Sequence, residues 1–241
     1  MGALQAVALV TGGVRGLGLA AARMLVSRGE AVHIVYRSSE RAARDLEGEF
    51  PGRVHRADAL AEGDVLRLVE EVHRRDGRLD TLVHAVGEYA TGPLEGYPLA
   101  DLRRMLASNV ESAFLLMNAA RSALRASSGS AVFFGCAGNG QPRAWRDTAA
   151  YAAAKTALLT LVRSWAVEEA RHGVRVNMVS PGHIPHEHAA ADTNDPQLWQ
   201  RIPLGVPGAP GDVAEAVAWL SSPAAHYVTG MNLEVAGGWM L

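Results

Sequence analysis

Thr11-Gly-Gly-Val-Arg-Gly-Leu-Gly18 is the stretch that decides the fold, because of what stands on either side of it. The apolar run at residues 4–10 predicts a buried strand, and the amphipathic run to about Arg28 predicts a helix. Glycines let a backbone turn sharply and approach a phosphate group closely. The helix N-terminus then offers free N–H groups and a partial positive charge to a pyrophosphate. The alternative is a glycine-rich turn that binds nothing.

Strand and helix patterns alternate along the rest of the chain. Further strands are predicted at 31–36, 53–57, 79–87 (with its closing turn), 130–136, 174–179 and 232–235. Helices are predicted at 40–49, 62–75, 99–126 and 151–169, and a last one, capped by Asp212, through Leu220. This alternation predicts an α/β fold, in which one doubly wound, seven-stranded parallel sheet has helices on both faces. No repeat or linker interrupts the pattern, so we expect residues 1–241 to form one domain.

Composition excludes several classes of protein. The net charge of −2 argues against a nucleic-acid binder, which usually carries a basic excess. Cys136 is the only cysteine, so no internal disulfide is possible. The sequence has no run of about 18 apolar residues to span a bilayer and no secretory signal at its start. We therefore expect a cytoplasmic protein with no nucleic-acid or membrane partner.

The end of the second predicted strand bears on the choice of dinucleotide. NAD-selective sites usually place an acidic residue there, to bind the ribose 2′-hydroxyl. This chain has Tyr36-Arg37-Ser38-Ser39 instead. Arg37 and Ser38 suit a 2′-phosphate, and Arg15 in the glycine turn adds charge. This favours NADP(H) over NAD(H), unless both arginines are merely solvated. Asp58, after the third strand, is placed either to accept a hydrogen bond from an adenine amino group or to cap the next turn.

Tyr151-Ala-Ala-Ala-Lys155 opens an alanine-rich helical run. Residues four apart share a helix face, so the phenol and the ammonium point the same way. A free tyrosine titrates near pH ~10, and a cation beside it favours the phenolate and lowers that pKa. Tyr151 and Lys155 are therefore candidates for proton transfer. The alternative is an ordinary helix with one aromatic residue and one lysine on a face.

Two further regions invite a functional interpretation. Asn109 lies within the predicted helix 99–126, where asparagine is unfavourable by propensity. Residues 183–210 show little periodicity, and a loop of this length is often a lid or a binding element. It contains His183, His186 and His188, but their spacing matches no strong ligand pattern, so we expect no metal site.

Together these pieces resemble the short-chain dehydrogenase/reductase family over essentially the whole chain, and its 3-oxoacyl-[acyl-carrier-protein] reductase members most closely. The matching segments are Thr11 to Gly18, Asp58, Asn109, Tyr151 with Lys155, Ser180-Pro-Gly182 and Tyr227-Val-Thr-Gly230. The resemblance implies a Rossmann-type fold and an NAD(P)-dependent oxidoreductase. The expected reaction is NADPH-dependent reduction of a ketone or aldehyde to an alcohol. The resemblance also implies a homotetramer, or a dimer.

The resemblance implies roles by position. Tyr151 would protonate the carbonyl oxygen, while Lys155 would lower the pKa of Tyr151 and hydrogen-bond the nicotinamide ribose. Asn109 would hold a water molecule in a proton relay. The expected cofactor contacts, besides Tyr151 and Lys155, are Thr11, Gly12, Arg15, Gly16, Leu17, Gly18, Arg37, Ser38, Asp58, Ala59, Ala85, Gly87, Pro181, Gly182 and Ile184.

The chain departs from the family pattern at two places. The usual Asn-Asn-Ala-Gly turn after the fourth strand is His84-Ala-Val-Gly87. The catalytic serine, which donates a hydrogen bond to the developing oxyanion, is replaced by Cys136, and a thiol is a much weaker donor. Asn139 could substitute if its loop folds inward. Otherwise Cys136 is a small packing residue.

These departures leave three functions open. The resemblance implies a substrate that is either a small carbonyl compound or an acyl thioester, and the thioester is either free or carried by acyl carrier protein. Members that bind this carrier dock it with basic residues near the ends of two long helices. Here the corresponding positions hold Ser127 and His172, with Arg125 and Arg171 beside them. The rival from another class is an NADP-binding protein with little catalytic activity.

Overall fold

A computed structural model describes residues 5–141, 143–187, 189 and 196–240. Leu4, Pro142 and His188 thus lie outside the described residues. Its strands are β1 (Val7–Thr11), β2 (Ala31–Tyr36), β3 (Val54–Arg56), β4 (Thr81–His84), β5 (Ser130–Phe134), β6 (Arg175–Pro181) and β7 (Asn232–Val235). They form one seven-stranded sheet in the order β3-β2-β1-β4-β5-β6-β7, and every neighbouring pair is parallel. The predicted parallel sheet is confirmed.

Helices cover both faces of this sheet. The helices are α1 (Gly16–Ser27), α2 (Glu40–Leu46), α3 (Glu62–Asp76), α4 (Leu99–Leu106), α5 (Ser112–Ser127), α6 (Ala149–Ala170), α7 (Pro196–Trp199) and α8 (Pro210–Ser221). Alternate strand residues face opposite layers: Val7 and Leu9 pack with α3, α5 and α6, whereas Ala8 and Val10 pack with α1, α2 and α8. No helix within the described ranges is both long and apolar enough to cross a membrane.

The strand order places a crevice between β1 and β4. The chain leaves β1 towards β2 on one side and returns to β4 on the other. Ligands of open α/β sheets bind beyond the carboxyl ends of the strands at such a switch point. The glycine turn follows β1 directly, so the fold brings it to this crevice.

The predicted helix 99–126 is interrupted. A π turn, Ala107–Glu111, separates α4 from α5. Asn109 lies within this turn, and its side-chain Nδ2 donates to Met105 O, the carbonyl four residues earlier, at 3.0 Å. A side chain that takes this carbonyl competes with the α-helical hydrogen bond and favours a wider turn. Such turns are frequent at functional sites.

The other element ends differ from the predictions by a few residues. The largest shift shortens α2, which ends at Leu46 rather than near residue 49. Asp212 is not the capping residue itself: it is the third residue of α8, and its Oδ2 accepts a hydrogen bond from Ala209 N at 2.7 Å. The carboxylate still satisfies an N–H group at the start of the helix.

A buried histidine links β2 to β3 and α3. The His33 side chain on β2 is fully buried, with Nδ1 2.8 Å from His55 Nε2 and Nε2 2.6 Å from Asp76 Oδ2. Arg53 Nη2 lies 2.8 Å from the other oxygen of Asp76. Burial lowers the pKa of His33 to about 4. Burial, with a contribution from the charge of Lys155, lowers the pKa of His84 to about 3.

These depressed pKa values predict acid sensitivity. Below pH ~6.5 the unfolded chain protonates histidines that the folded chain keeps neutral. The free energy of unfolding should therefore fall as the pH drops from ~6.5 towards 4, by about 1.4 kcal/mol per pH unit for each histidine. Above pH ~6.5 neither residue contributes. Urea unfolding between about pH 7.5 and 4.5 measures the slope, which should be shallower in His33→Gln and unchanged in the control His73→Gln, at an exposed position. An unchanged slope in His33→Gln would contradict the assignment.

Candidate active site

A cleft of about 1060 Å³ opens at the carboxyl ends of the strands. It runs from Arg37 and Ser38, after β2, past the glycine turn to the start of α6. The residues expected from the sequence that line it are Thr11, Gly12, Arg15, Gly16, Leu17, Gly18, Arg37, Ser38, Asp58, Ala59, Ala85, Gly87, Cys136, Tyr151, Lys155, Pro181, Gly182 and Ile184. Asn109 is fully buried behind this wall. The fold thus brings together residues spread over most of the chain.

The glycine turn has the shape of a phosphate cradle. Gly12 and Gly16 have backbone φ angles of +70° and +54°, which residues other than glycine rarely adopt. Gly18 has no such torsion, but a Cβ there would overlap Gly12 O. α1 begins at Gly16, and no side chain among the described residues caps its first turn. Its first N–H groups are therefore left for a ligand, and an anion suits them.

The end of the cleft near Arg37 carries two basic side chains. Arg15 and Arg37 are both exposed, and neither forms an ion pair within the described parts of the chain. Arg56, by contrast, lies 3.1 Å from Glu40 Oε1. The Oδ1 atom of Asp58 accepts a hydrogen bond from Leu60 N at 3.0 Å, which is the capping alternative. Contact of Asp58 with adenine stays a prediction.

Tyr151 and Lys155 meet at the other end of the cleft. Lys155 Nζ lies 5.7 Å from the centre of the Tyr151 ring and donates to Phe134 O at 2.7 Å. Tyr89 packs its ring edge-on against Tyr151, with the ring centres 5.0 Å apart. The side chains thus lie on one face of α6, as their spacing indicates.

The expected lowering of the Tyr151 pKa is wrong for this structure. Burial raises the pKa of Tyr151 well above its ordinary value, and the neighbouring Cys136 and Tyr89 add to the rise. Burial also lowers the pKa of Lys155 to about 8. The ammonium is directed at a carbonyl oxygen rather than at the phenol, so loss of hydration dominates. Tyr151 therefore keeps its proton.

Asn109 presents a free acceptor behind Gly87. Its Nδ2 donates to Glu88 O and Met105 O, each at 3.0 Å, whereas its buried Oδ1 has no partner among the described residues. A Cβ on Gly87 would overlap this Oδ1 and would lie 3.1 Å from Lys155 Nζ. Glycine is therefore required at position 87. A buried acceptor of this kind usually holds water or a ligand.

Cys136 follows β5 and faces the cleft beside Tyr151. Burial raises the pKa of its thiol to about 12, although the charge of Lys155 acts in the opposite direction. The thiol therefore stays protonated, as a weak donor. Asn139, the alternative donor, is buried and is absent from the cleft lining. Its Nδ2 donates to Lys155 O at 3.2 Å and its Oδ1 accepts from Asn232 Nδ2 at 2.9 Å, so the amide holds α6 and β7 rather than a substrate.

Sequence reasoning missed a wall of the cleft that is formed by Trp239 and its neighbours. Trp239 packs between His183, whose ring centre is 4.4 Å away, and the guanidinium of Arg201 at 4.9 Å. Met240 O accepts from Arg143 Nη1 at 2.8 Å. His186 lies against the glycine turn, since a Cβ on Gly16 would be 3.2 Å from its ring. The available signal was a Trp-Met pair directly after two glycines, which is large apolar surface at the end of the last strand.

Comparison with known proteins decides the family. A family model described as enoyl-(acyl carrier protein) reductase matches residues 12–240, from the glycine turn to the wall at Met240. This protein belongs to the short-chain dehydrogenase/reductase family. As a short-chain dehydrogenase/reductase it is an NAD(P)-dependent oxidoreductase with a small-molecule substrate.

Relatives of this short-chain dehydrogenase/reductase differ in substrate. L-fucose dehydrogenase of Mus musculus is 36% identical over 96% of this chain and 87% of its own length. The 3-oxoacyl-[acyl-carrier-protein] reductase of Bos taurus is 35% identical over 99% of both chains. In structure, a blue fluorescent protein from a metagenomic library, solved with NADPH, superposes with a TM-score of 0.90 at 31% identity over 98% of both chains.

The cleft of this short-chain dehydrogenase/reductase fits a nicotinamide dinucleotide. The glycine cradle suits the pyrophosphate, and the uncapped first turn of α1 supplies its donors. A cation, a protonated phenol and an unpartnered acceptor converge at the far end. In chemical terms this arrangement can hold a polar group and deliver a proton to it.

Proposed function

We propose that this protein reduces a ketone or aldehyde carbonyl to an alcohol with NADPH. The observation that carries the proposal is the single cleft that joins Arg37 and the glycine turn to Tyr151 and Lys155. The 3-oxoacyl-[acyl-carrier-protein] reductase relative and the NADPH complex of a structural relative support it.

The protein residues would supply binding and the proton, while the bound nicotinamide supplies the hydride. Tyr151 would donate its proton to the carbonyl oxygen as that oxygen becomes an alkoxide, a far stronger base than a phenolate. The raised pKa of Tyr151 keeps the phenol in the protonated form that this step needs. We propose reduction as the direction, by analogy with the 3-oxoacyl-[acyl-carrier-protein] reductase relative.

Lys155 and Asn109 would complete the proton path. Lys155 would hold the nicotinamide ribose, and its ammonium lies close to the unpartnered Asn109 Oδ1 around Gly87. Water bound to Asn109 Oδ1 would return a proton to Tyr151 through Lys155. Each of these groups is buried, so each requires a partner when the site is assembled.

Preference for NADPH would rest on Arg37, Ser38 and Arg15. The two arginines are exposed beside the cleft and have no carboxylate partner within the described ranges. An arginine with a free guanidinium can bind a 2′-phosphate with two parallel hydrogen bonds. We propose that these residues select NADP(H) over NAD(H).

A carbonyl compound that is not attached to acyl carrier protein is the favoured substrate. Arg125, a candidate docking cation, is held by Glu169 through two hydrogen bonds of 2.7 and 2.8 Å. Ser127 donates to Leu79 O at 2.6 Å and is likewise engaged within the chain. Arg171 remains exposed. The carrier-bound 3-oxoacyl thioester stays the second candidate, on the strength of the 35% identical reductase.

A weakly catalytic NADP-binding protein is the remaining alternative. The thiol of Cys136 in place of a hydroxyl favours it, because a missing oxyanion donor can cost about 10²–10³ in rate. The converging Tyr151, Lys155 and Asn109 oppose it, because binding alone does not require a proton donor next to a buried ammonium.

We propose that residues 1–241 act as one domain, that the protein is cytoplasmic and that it assembles as a homotetramer or dimer. Exposed apolar side chains on α5 and α6, Phe114 and Val167, are compatible with an assembly through these helices.

Tyr151→Phe should lower kcat by about 10²-fold or more, because the proton donor is lost. NADPH affinity should stay within about twofold, because the ring remains. NADPH consumption over acetoacetyl thioesters, diketones, quinones and aldehydes identifies a substrate and measures kcat. Tyr227→Phe, at a fully exposed tyrosine, is the matched control. Retained turnover in Tyr151→Phe would refute the acid role.

Arg37→Ala should weaken NADPH binding by about tenfold to 100-fold and leave NADH binding unchanged, because charged hydrogen bonds to the 2′-phosphate are lost. Quenching of tryptophan fluorescence measures both affinities, since Trp145 and Trp239 line the cleft. Arg41→Ala on the exposed face of α2 is the control. Equal affinity of the wild-type protein for the two cofactors would remove the role of Arg37.

Cys136→Ser should raise kcat by up to about 10²-fold, because a hydroxyl is a stronger donor to the developing oxyanion. Cys136→Ala, which has no donor, should stay near the wild-type rate. Steady-state kinetics on the substrate found by the screen compares the three proteins. A fall in kcat in both variants would show that the thiol has chemistry of its own.

A further inference from the structure

His84 lies between two hydroxyl groups, buried behind the residues that line the cleft. It ends β4 and is 1% exposed. Its Nδ1 is 2.8 Å from Thr11 Oγ1, and its Nε2 is 3.0 Å from Ser112 Oγ. Thr11 is the last residue of β1, directly before the glycine turn, and Ser112 is the first residue of α5, directly after the π turn.

The direction of both hydrogen bonds follows from Ser112. Its hydroxyl donates to Ser108 O at 2.7 Å, so its one hydrogen is used. It therefore accepts from His84 Nε2–H. In a neutral imidazole the other nitrogen then has no hydrogen, so Nδ1 accepts from Thr11 Oγ1. The depressed pKa of His84, about 3, keeps the ring neutral through the working range.

Each partner of His84 belongs to a different part of the site. On one side, Thr11 leads into Gly12 at φ +70°, where the cradle begins. On the other side, the Ser108 carbonyl that Ser112 holds lies in the π turn. Asn109 is the next residue of that turn, with its unpartnered Oδ1 behind Gly87.

We propose that His84 is a positioning residue that couples the glycine turn to the π turn, so that cofactor bound at one orders Asn109 at the other. The proposal rests on the proposed function of the cleft. His84 forms the two hydrogen bonds with the two nitrogens of one rigid ring. A displacement of Thr11 is therefore transmitted to Ser112 without passing through the backbone. The competing explanation is that His84 only fills space beside Phe133, whose ring centre lies 5.9 Å away.

Two substitutions separate the two links. In His84→Asn the side-chain oxygen takes the place of Nδ1 and can accept from Thr11, but the shorter side chain does not reach Ser112. In His84→Gln the terminal amide takes the place of Nε2 and can donate to Ser112, but a methylene replaces the acceptor opposite Thr11. Each variant thus serves as the matched control of the other.

Hydrogen exchange and NADPH titration measure the coupling without turnover. In the wild-type protein, NADPH should slow amide exchange in both segment 12–18 and segment 107–112. In His84→Asn, NADPH should still protect segment 12–18 but no longer segment 107–112. In His84→Gln, the affinity for NADPH should fall by about tenfold, the effect of one buried hydrogen bond at the cradle.

The tautomer of the wild-type ring tests the proposal without any variant. Long-range proton–nitrogen NMR correlations should show the hydrogen of His84 on Nε2. A hydrogen on Nδ1 would overturn the assignment. NADPH protection of both segments in both variants would also overturn it. The same holds if both variants lose this protection equally and are destabilised throughout, because either result describes a residue that only fills space.

Failure of this proposal is distinct from failure of the proposed function. If turnover requires Tyr151 but the two His84 variants behave alike, the coupling role is wrong and the reductase stands. If the variants split as expected while Tyr151→Phe remains active, the coupling role stands and the proton-donor role is wrong.

Discussion

Backbone segments meet at the carboxyl ends of β1 and β4 at distances that only glycine permits. A Cβ on Gly12 would lie 2.8 Å from Ala85 O, closer than real Cβ atoms come to any neighbour. A Cβ on Gly18 would overlap Gly12 O, and one on Gly87 would overlap Asn109 Oδ1. The glycine turn, the turn after β4 and the π turn therefore form one compact corner. The cleft depends on this corner, because it joins the glycine turn to Gly87, which lies against Lys155 and Asn109.

Burial of polar groups explains most of the hydrogen bonding around that corner. A buried polar group left without a partner costs about 1–3 kcal/mol. Lys155 is hydrogen-bonded to Phe134 O, and Asn139 is hydrogen-bonded to Lys155 O and Asn232. His84 is hydrogen-bonded to the hydroxyls of Thr11 and Ser112. Among the described residues Asn109 Oδ1 is an exception, and it lies behind Gly87 near the ammonium of Lys155. A buried acceptor without a hydrogen-bond partner in a candidate active site is better explained by a role in function than by a contribution to stability.

The two departures from the family pattern have different consequences. Cys136 keeps the size and position of a small polar residue, but its thiol is a poorer hydrogen-bond donor than a hydroxyl. His84 replaces a short amide by a ring that reaches both neighbours, so it affects how the site is held together. Tyr151, Lys155 and Asn109 match the family pattern at their positions. The chain thus combines these three residues with a different donor at position 136.

The sequence by itself determined the fold class, the order of strands and helices along the chain, and 18 of the residues that line the cleft, including the glycine turn, Tyr151 and Lys155. Periodicity and glycine placement are local properties, and parallel strands with helical crossovers allow few topologies. Tertiary structure decided the rest. The π turn at Asn109, the engaged amide of Asn139 and the wall formed by Trp239 depend on contacts between residues far apart in sequence. The protonation of Tyr151 also depends on the fold, because burial, which no local pattern reveals, raises the pKa of its phenol.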